Sequence, residues 1–491
     1  MADQTTFLAI DFGASSGRAM LGELANGRLT LREIHRFSND PVELAGRLHW
    51  DLPRLFFEIK RALNKAALEN VKIASIGVDT WGCDYGLLDA AGHLMDNPVH
   101  YRDARTEGVM EKAFAAVPRR EIYERTGLAF MNFNTLYQLY SQVLEQDGRL
   151  PNARCMMFMP DLMSYLLTGV RGCEYTVAST SQMISPYTRS WDTELLEKMH
   201  IPTDMLPEIT EPGTVRGMLL PALAREAGLE SVPVIAVAGH DTASAVAAVP
   251  AKDEDFAYIS SGTWSLVGVE TRSPVISDDA QAANLTNEGG VDGTIRVLKN
   301  VMGLWIIQEC KREWERRGHA LSFAQIVEEA EKAPAFRSLF DPDAPDFVAP
   351  GDMPGRIADY CRRTGQPVPE TIGQTARAVY ESLALKYRWT VEKLEKARGK
   401  AIRTLHIVGG GANNGMLNRF TASALGIPVV TGPTEATAIG NVMMQARALG
   451  LVKDMQQLRK VVADSFDTQT VLPADKAPWD EAYARFLKIM G

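Results

Sequence analysis

A turn built from small residues follows the first apolar segment of the chain. Phe7–Ile10 is apolar and leads to Asp11, and the turn Gly13-Ala14-Ser15-Ser16-Gly17-Arg18 comes next. A tight turn of this composition directs several backbone N–H groups to its tip, where they can bind phosphate oxygens. A carboxylate beside the turn, here Asp11, can hold Mg²⁺ through water. The alternative is that Gly13 and Gly17 only permit a tight turn.

The second half of the chain repeats this arrangement. Phe256–Ser260 is strand-like, Ser261-Gly262-Thr263 is a turn of glycine and hydroxyl residues, and Leu266–Glu270 returns as a strand. Two such hairpins, half a chain apart, indicate a distant internal duplication of one domain. The boundary is expected near Pro250–Asp255, a polar stretch that begins with proline. The repetition favours a phosphate-binding role for both turns over two unrelated tight turns.

A third glycine-rich segment lies near residue 410. The apolar strand Leu405–Val408 leads into Gly409-Gly410-Gly411 and then into a helical segment. Three residues without side chains at a strand end let a nucleobase or ribose lie against the backbone. Packing alone could explain one glycine, so the run of three is the stronger indication of a nucleotide site.

Polar residues also stand where apolar strands end. Asp241 follows the apolar segment Val234–Gly239 and begins the helix-like segment Asp241–Ala245. Proteins of the α/β class place reactive groups at the carboxyl ends of strands, so Asp241 is a candidate base and His240 a candidate donor to a substrate. The alternatives are a helix N-cap for Asp241 and an ordinary turn histidine for His240.

Three further groups of residues are weaker candidates. Trp81 beside Gly82 could form a stacking wall for a sugar, although a core position is the commoner role for a tryptophan. Tyr101–Thr106 is a polar cluster that could bind hydroxyl groups or form a solvated loop. Asn300 and Gln308 are predicted to lie two turns apart on one helix, with an N-cap and a surface glutamine as the alternatives.

The elements that must position these residues alternate between strands and helices. Leu55–Glu69 and Ile372–Lys396 have helical periodicity, whereas Val71–Asp79 and Val234–Gly239 have the character of buried strands. Asn26-Gly27 predicts a tight hairpin turn between the second and third strands. A dinucleotide-binding fold would place a helix directly after the first glycine turn, so this opening of three strands argues against it. We expect an α/β protein of two domains with a cleft between them.

The composition is that of a folded multidomain protein. Its 491 residues are 46% hydrophobic and 23% charged, with a net charge of −9, and this length suggests two or three domains. The chain shows no basic face for nucleic acid, no apolar run of membrane-spanning length and no secretory signal. The five cysteines are widely spaced and indicate reduced thiols rather than disulfides or a zinc site. A cytoplasmic protein without nucleic-acid or membrane partners is expected.

Four of these segments, taken together, resemble the FGGY carbohydrate kinases. They are Asp11–Arg18, Gly77–Gly82, Ser260–Trp264 and Val408–Gly411. Further segments are similar to one branch of that family, namely Arg32–Phe37, His240–Ala245, Asn287–Gly290 and Lys299–Trp305. The resemblance runs from about residue 5 to about residue 450, so it covers nearly the whole chain.

The resemblance implies two actin-like ATPase domains of the ribonuclease H-like type, with residues 1–248 binding sugar and residues 249–491 binding nucleotide. It implies transfer of the γ-phosphate of ATP to a small ketose, with Mg²⁺ at Asp11 and Asp241 as the catalytic base. The branch implies L-rhamnulose as the acceptor, with fuculose, xylulose and ribulose as alternatives. The residues expected to contact ATP are Ala14, Ser15, Ser16, Gly17, Arg18, Thr263, Gln308 and Gly410. Those expected to contact the sugar are Gly82, His240, Asp241, Thr242 and Asn300.

The first hairpin departs from the wider family, because Ala14-Ser15-Ser16 stands where many members have threonines. A non-catalytic actin-fold module that binds nucleotide is the rival hypothesis. It would need an added DNA-binding or assembly segment, which the sequence does not show, and Asp241 favours catalysis. A monomer or weak dimer is expected, and the last forty residues carry no motif.

Overall fold

A computed structural model describes residues 4–490 as alternating strands and helices. The strands are β1 (Thr5–Phe12), β2 (Ser16–Ala25), β3 (Arg28–Ser38), β4 (Val42–Leu44), β5 (Arg47–His49), β6 (Ile73–Thr80), β7 (Tyr85–Leu88), β8 (Cys155–Phe158), β9 (Cys173–Glu174), β10 (Ile184–Ser185), β11 (Ser190–Trp191), β12 (Ile209–Thr210), β13 (Thr214–Met218), β14 (Pro233–Ala236), β15 (Phe256–Ser261), β16 (Trp264–Thr271), β17 (Thr286–Gly289), β18 (Ile295–Met302), β19 (Thr404–Val408), β20 (Val429–Thr431) and β21 (Gln469–Val471). The helices are α1 (Leu52–Leu68), α2 (Val109–Ala116), α3 (Arg119–Thr126), α4 (Thr135–Leu144), α5 (Met159–Thr168), α6 (Tyr175–Ala178), α7 (Thr193–Lys198), α8 (Pro221–Ala227), α9 (Asp241–Ala247), α10 (Asp278–Ala282), α11 (Trp305–Arg316), α12 (Phe323–Lys332), α13 (Met353–Arg363), α14 (Ile372–Arg398), α15 (Gly415–Leu425), α16 (Ala436–Ala448), α17 (Met455–Ser465) and α18 (Ala477–Met490).

The chain forms two compact units, and each unit is assembled from separate stretches of sequence. Unit 1 consists of the chain up to Pro250 together with Glu270–Val297 and Ala436–Ser465. Unit 2 consists of Ala251–Val269, Leu298–Glu435 and the chain from Phe466 onward. The segments Glu270–Val297 and Ala436–Ser465 therefore fold as part of the same compact unit as the N-terminal half of the chain.

Unit 1 is built on a mixed sheet with the strand order β13-β14-β6-β1-β2-β3. β1 is antiparallel to β2 and parallel to β6, and α16 packs against both β1 and β6. Every residue of β1 after Thr5 is buried, as expected for a strand that is covered on both faces. The parallel pairing places the carboxyl ends of β1 and β6 at the same edge of the sheet.

The turn between β2 and β3 is the predicted Asn26-Gly27 hairpin. Both residues have positive φ angles, 54° at Asn26 and 71° at Gly27, which is the conformation that a two-residue hairpin turn with the right twist requires. The prediction is confirmed, and β3 extends from this turn to Ser38.

The sheet of unit 2 repeats the arrangement at the centre of unit 1. Its strands include the run β16-β15-β19-β20-β21, in which β15 is antiparallel to β16 and parallel to β19. A hairpin followed by a parallel strand therefore occurs in both units, which is the arrangement that the predicted internal duplication requires. The 27-residue helix α14 packs against α12 and α15.

Two sequence expectations differ from the structure. The strand predicted to reach Gly239 ends at Ala236. The prediction that one helix carries both Asn300 and Gln308 is wrong, because β18 continues through Asn300 and α11 begins only at Trp305. β18 contains Ile295, Val297 and Val301, and β-branched side chains of this kind favour a strand.

The structure adds two observations on sequence-wide expectations. All five cysteines are buried and unpaired, in agreement with the expected reduced thiols. Within residues 4–490, no helix combines the length and the apolar character that crossing a membrane requires.

Candidate active site

The first predicted phosphate-binding turn connects β1 to β2. The Gly13 N–H donates to the Ser16 carbonyl at 2.9 Å, and the Asn39 side chain donates to the Gly13 carbonyl at 2.8 Å. The Asn39 backbone N–H donates to the Ser15 carbonyl at 3.1 Å. Ala14 and Ser15 themselves are exposed at the tip. The turn is thus anchored through its carbonyls while its tip remains open to a ligand.

Asp11 and Arg18 face each other across this hairpin. They are register partners on β1 and β2, and Arg18 Nη2 lies 2.7 Å from Asp11 Oδ2. Asp11 is buried, whereas the Arg18 side chain is 22% exposed. The hairpin therefore carries one guanidinium at its open side and one carboxylate beneath it.

A second carboxylate, Asp79, lies beside Asp11. The two aspartates are register partners on the parallel strands β1 and β6, and Asp79 is completely buried. Burial and the negative charges of Asp11 and Asp241 hold the pKa of the Asp79 carboxyl well above its ordinary value. Within residues 4–490, Asp79 Oδ1 has no hydrogen-bond partner. A buried polar atom of this kind calls for a partner that the protein does not supply.

The other oxygen of Asp79 belongs to a buried polar network. Asn441 Nδ2 donates to Asp79 Oδ2 at 2.5 Å, and Gln445 Nε2 donates to Asn441 Oδ1 at 2.7 Å. Ser75 Oγ donates to Gln445 Oε1 at 2.7 Å. Asn441 and Gln445 lie one turn apart on α16, and all four side chains are fully buried. The network fixes the orientation of the Asp79 carboxyl.

Asp241, the candidate base, is the first residue of α9. His240 is the N-cap, so the alternative in which Asp241 caps the helix is wrong. Asp241 Oδ1 accepts hydrogen bonds from the Thr242 N–H at 2.5 Å and from Thr242 Oγ1 at 3.1 Å. The Asp241 side chain is 30% exposed, so a substrate can reach the carboxylate.

The backbone before Asp241 is held by the ends of two other elements. The Thr80 N–H donates to the Gly239 carbonyl at 2.9 Å, at the carboxyl end of β6. Glu174 Oε2 accepts from the Gly239 N–H at 2.9 Å, and Thr176 Oγ1 accepts from the His240 N–H at 3.2 Å. These bonds bring His240, Asp241 and Thr242 to the sheet edge where Asp11 and Asp79 lie.

Gly82 also lies at this edge, after β6. A Cβ at position 82 would lie 2.8 Å from Thr180 Oγ1, and the same hydroxyl accepts from the Cys83 N–H at 3.0 Å. Close packing against Thr180 therefore requires a glycine at this position, whatever its role toward the sugar.

Trp81 is a core residue, as its alternative interpretation held. It is buried, its ring lies tilted by 33° against Trp50 with centroids 3.9 Å apart, and its Nε1 donates to Asp84 Oδ2 at 3.0 Å. Asp84 also accepts from Trp50 Nε1 at 2.6 Å and from the Tyr101 N–H at 3.1 Å. Burial outweighs these bonds and raises the pKa of Asp84 to about 6.

Asp103, Ala104 and Arg105 of the polar segment 101–106 line a separate cavity of about 390 Å³ in unit 1. The charged residues around this cavity are Arg47, Arg105, Lys112, Asp103, Glu107 and Glu145. Three cations and three anions nearly balance, and the cavity contains none of the residues expected to contact ATP or sugar. Its shape and charge give no indication of a ligand.

In unit 2, the expected nucleotide residues Thr263 and Gln308 come together. Thr263 lies in the turn between β15 and β16, and its Oγ1 is 3.5 Å from Gln308 Oε1. The Trp305 N–H donates to the Thr263 carbonyl at 3.0 Å, and the Leu304 N–H donates to the Gly262 carbonyl at 3.2 Å. The start of α11 is thus tied to the hairpin, which places Gln308 beside the turn.

The run of three glycines lies against the same hairpin. A Cβ on Gly411 would lie 1.9 Å from Ser261 Oγ, whereas a Cβ on Gly410 would meet no atom within 4 Å. Gly411 therefore serves close packing, and the exposed Gly410 presents open backbone. Asn300, the remaining expected sugar contact, lies on β18 in unit 2.

Sequence motifs did not assign a role to two buried residues of the site. Asp79 stands at the end of an apolar strand and within the family segment Gly77–Gly82, and Asn441 lies outside every motif. The available signal for Asp79 was its position at the end of a strand parallel to β1, since adjacent parallel strands bring such ends together.

Comparisons with known proteins identify the chain's relatives. The N-terminal domain model of the FGGY family of carbohydrate kinases matches residues 6–248, and its C-terminal domain model matches residues 257–449. A rhamnulokinase of Bacteroides thetaiotaomicron is 47% identical over 480 residues, covering 98% of each chain. A rhamnulokinase of Enterococcus faecalis is 42% identical over 470 residues, covering 95% of this chain and 94% of the relative.

Solved structures share the fold at low sequence identity. The xylulose kinase of Lactobacillus acidophilus has a TM-score of 0.84 at 18% identity, covering 99% of this chain and 97% of its own. The gluconate kinase of the same organism has a TM-score of 0.83 at 18% identity, covering 99% and 98%. The expected fold class, α/β with two actin-like ATPase domains, is confirmed.

Proposed function

Because the chain belongs to the FGGY family of carbohydrate kinases, we propose that it transfers the γ-phosphate of ATP to the 1-hydroxyl of L-rhamnulose. The observation that carries the choice of sugar is the similarity to rhamnulokinases over nearly the whole chain. ATP is the co-substrate that the family uses. The proposal gives residues 1–248 the main role in binding sugar and residues 249–491 the main role in binding nucleotide.

Asp241 is the proposed catalytic base. Its carboxylate is partly exposed, and Oδ1 is already held by Thr242, which leaves Oδ2 for the proton of the sugar hydroxyl. Phosphoryl transfer passes through a loose transition state, so the protein mainly positions the groups and offsets charge. Aspartate is a weak base in general, and a weak base suffices if the proton moves late. His240, Thr242, Gly82 and Asn300 are proposed to bind the sugar.

The phosphates of ATP are assigned to the first hairpin. The exposed tip at Ala14 and Ser15, with Ser16 and Gly17, offers backbone N–H groups, and Arg18 adds a positive charge. Thr263, Gln308 and Gly410 in unit 2 are assigned to the rest of the nucleotide, since the first two are in contact and the third presents open backbone.

Mg²⁺ is the proposed metal, and the residues present fit it. Asp11 and Asp79 would hold it, because both are buried oxygen donors and Asp79 Oδ1 lacks a partner within residues 4–490. No group of three or more histidine, cysteine, aspartate or glutamate side chains in that range could bind a metal alone. This suits Mg²⁺, which keeps waters and binds through one or two carboxylates plus substrate phosphates. When bound, the ion offsets the negative charge of the phosphates.

The proposed location is the cytoplasm, where ATP is available and where the five unpaired cysteines would remain reduced.

The proposed activity and the choice of sugar are tested by measuring ADP release with a panel of ketoses. We expect kcat/KM to be highest for L-rhamnulose. Xylulose and ribulose lack its methyl group, which should cost roughly 10- to 200-fold, and fuculose, which differs only in configuration, should also react more weakly. A higher kcat/KM for xylulose or fuculose would overturn the choice of sugar, and no ADP release with any ketose would overturn the kinase assignment.

A further inference from the structure

A buried guanidinium lies against the ring of His240. Arg296 is fully buried, and its Nη2 is 3.0 Å from His240 Nδ1, within hydrogen-bond geometry. Arg296 Nε donates to the Gly289 carbonyl at 2.8 Å, which fixes the guanidinium in place. A guanidinium remains protonated and can only donate. His240 Nδ1 is therefore the acceptor of this bond.

Glu288 supplies the countercharge. Its Oε2 lies 3.1 Å from Arg296 Nη2 and 3.3 Å from His240 Nδ1, yet it accepts no hydrogen bond from residues 4–490. Although burial opposes the shift, the charge of Arg296 lowers the pKa of the Glu288 carboxyl below its ordinary value. Glu288 thus offsets the charge of the guanidinium, and its 3.3 Å contact with His240 Nδ1 lies outside hydrogen-bond geometry.

With Nδ1 as an acceptor, the proton of a neutral imidazole ring lies on Nε2. His240 Nε2 is 3.5 Å from Asp241 Oδ1. This distance exceeds a normal hydrogen bond, but the N–H dipole still stabilises the carboxylate. The Nε2–H group and the two donors of Thr242 together keep Asp241 Oδ1 directed toward His240 and Thr242. The opposite tautomer would place a lone pair against Oδ1 and repel it.

We propose that Arg296 and Glu288 are positioning residues, which hold His240 in the tautomer that orients the carboxylate of Asp241. The inference rests on the proposed function of Asp241 as the base. It also gives a role to Asn287–Gly290, a segment that the sequence linked only to a branch of the family.

The first test needs no substitution in this pair. Nitrogen NMR of protein labelled with ¹⁵N-histidine should show His240 with Nε2 protonated and Nδ1 unprotonated, and a His240→Gln variant identifies its signals. Protonation on Nδ1 would overturn the proposal. This measurement requires no activity, so it stands apart from a failure to phosphorylate L-rhamnulose, which would refute the proposed function.

The second test removes both charges together, so that neither remains buried and unpaired. In the double variant Glu288→Leu, Arg296→Met, we expect kcat to fall about 10- to 100-fold, the usual cost of losing residues that orient a functional group. The KM for ATP should stay within about twofold. Arg296→Lys keeps the charge and a donor, and it should recover most of kcat.

The matched control is the double variant Arg377→Gln, Glu381→Gln. This pair has a 2.7 Å contact and a buried glutamate on α14 in unit 2. If this control loses about as much Tm as the Glu288→Leu, Arg296→Met variant, it should still have the kcat of the unsubstituted protein. An equal loss of kcat in the control, or an unchanged kcat in a folded Glu288→Leu, Arg296→Met protein, would contradict the positioning role.

Discussion

Asn441 donates a 2.5 Å hydrogen bond to Oδ2 of Asp79, although 362 residues separate them in the chain. The bond joins α16 to the end of β6 and orients a completely buried carboxyl next to Asp11. It leaves Asp79 Oδ1 without a partner within residues 4–490. A fixed acid with one unused oxygen suits a role in holding the proposed Mg²⁺ better than a role in packing.

Asp79→Asn should therefore weaken metal use without unfolding the protein. Because burial and the charges of Asp11 and Asp241 raise the pKa of Asp79, its charged form destabilises the metal-free folded protein, and a neutral asparagine should leave Tm unchanged or higher. The Mg²⁺ concentration for half-maximal activity should rise about tenfold, by analogy with other residues near metals. Ser75→Ala, in the same network, is the control. A lower Tm with an unchanged Mg²⁺ requirement would show that Asp79 is structural.

Asp241→Asn should remove the base and keep the fold. We expect kcat to fall about 10²- to 10⁴-fold, the usual range for a general base, with the KM for ATP nearly unchanged. Since His240 rather than Asp241 caps α9, Asp241→Ala should cost only about 0.3–1 kcal/mol, from losing a negative charge in the first helical turn. Steady-state kinetics and thermal unfolding of both variants measure these effects. A fully active Asp241→Asn enzyme would exclude Asp241 from the mechanism.

Gly410→Ala and Gly411→Ala should behave differently, although the residues are neighbours. A methyl group at 411 would overlap Ser261 Oγ, so Gly411→Ala should cost about 1–3 kcal/mol of stability. A methyl group at 410 meets no protein atom, so the stability of Gly410→Ala should stay within about 0.5 kcal/mol. If ATP lies against this backbone, the KM for ATP should rise several-fold in Gly410→Ala, while its Tm stays constant. An unchanged KM would remove Gly410 from the nucleotide site.

His100 should make the protein less stable in acid. Burial, with the nearby charge of Arg102, lowers the pKa of His100 to about 4. Its ring stacks on Trp50 at 4.1 Å, and its Nδ1 accepts from the Arg102 N–H at 3.0 Å. The folded state therefore binds the proton less readily than the unfolded chain does. The contribution of neutral His100 to the free energy of unfolding is fully present above pH 6.5. As pH falls toward 4 this contribution is lost, and the free energy of unfolding decreases by up to about 3 kcal/mol.

The comparison that isolates this effect is His100→Asn. Burial raises the pKa values of Asp84 and Glu174 to about 6 and about 7. Their protonation therefore stabilises the folded state as pH falls, and this partly masks the loss of stability caused by His100. Urea unfolding between pH 7.5 and pH 4.5 should show a weaker acid loss in His100→Asn than in the unsubstituted protein. His93→Asn, at a side chain that is 81% exposed, should leave the slope unchanged. Equal slopes in all three proteins would refute the prediction.

Reading the amino-acid sequence was enough to predict the family, the two glycine hairpins and the position of Asp241 at the end of an apolar segment. The hairpins and the position of Asp241 are local features, whereas the family resemblance extends over nearly the whole chain. The Asn26-Gly27 turn depends on two residues that accept positive φ, and the hairpin tips depend on small residues in a short run. Neighbouring residues in the chain are enough to specify them.

The sequence did not show which side chains act together, and the folded protein does. It paired Asn441 with Asp79 and Arg296 with His240, which are 362 and 56 residues apart. It also placed Asn300 on a strand, against the helix that its spacing from Gln308 suggested. The physical reason is that a contact between distant segments depends on sheet register and helix packing, and neither leaves a periodic pattern around the residues that meet.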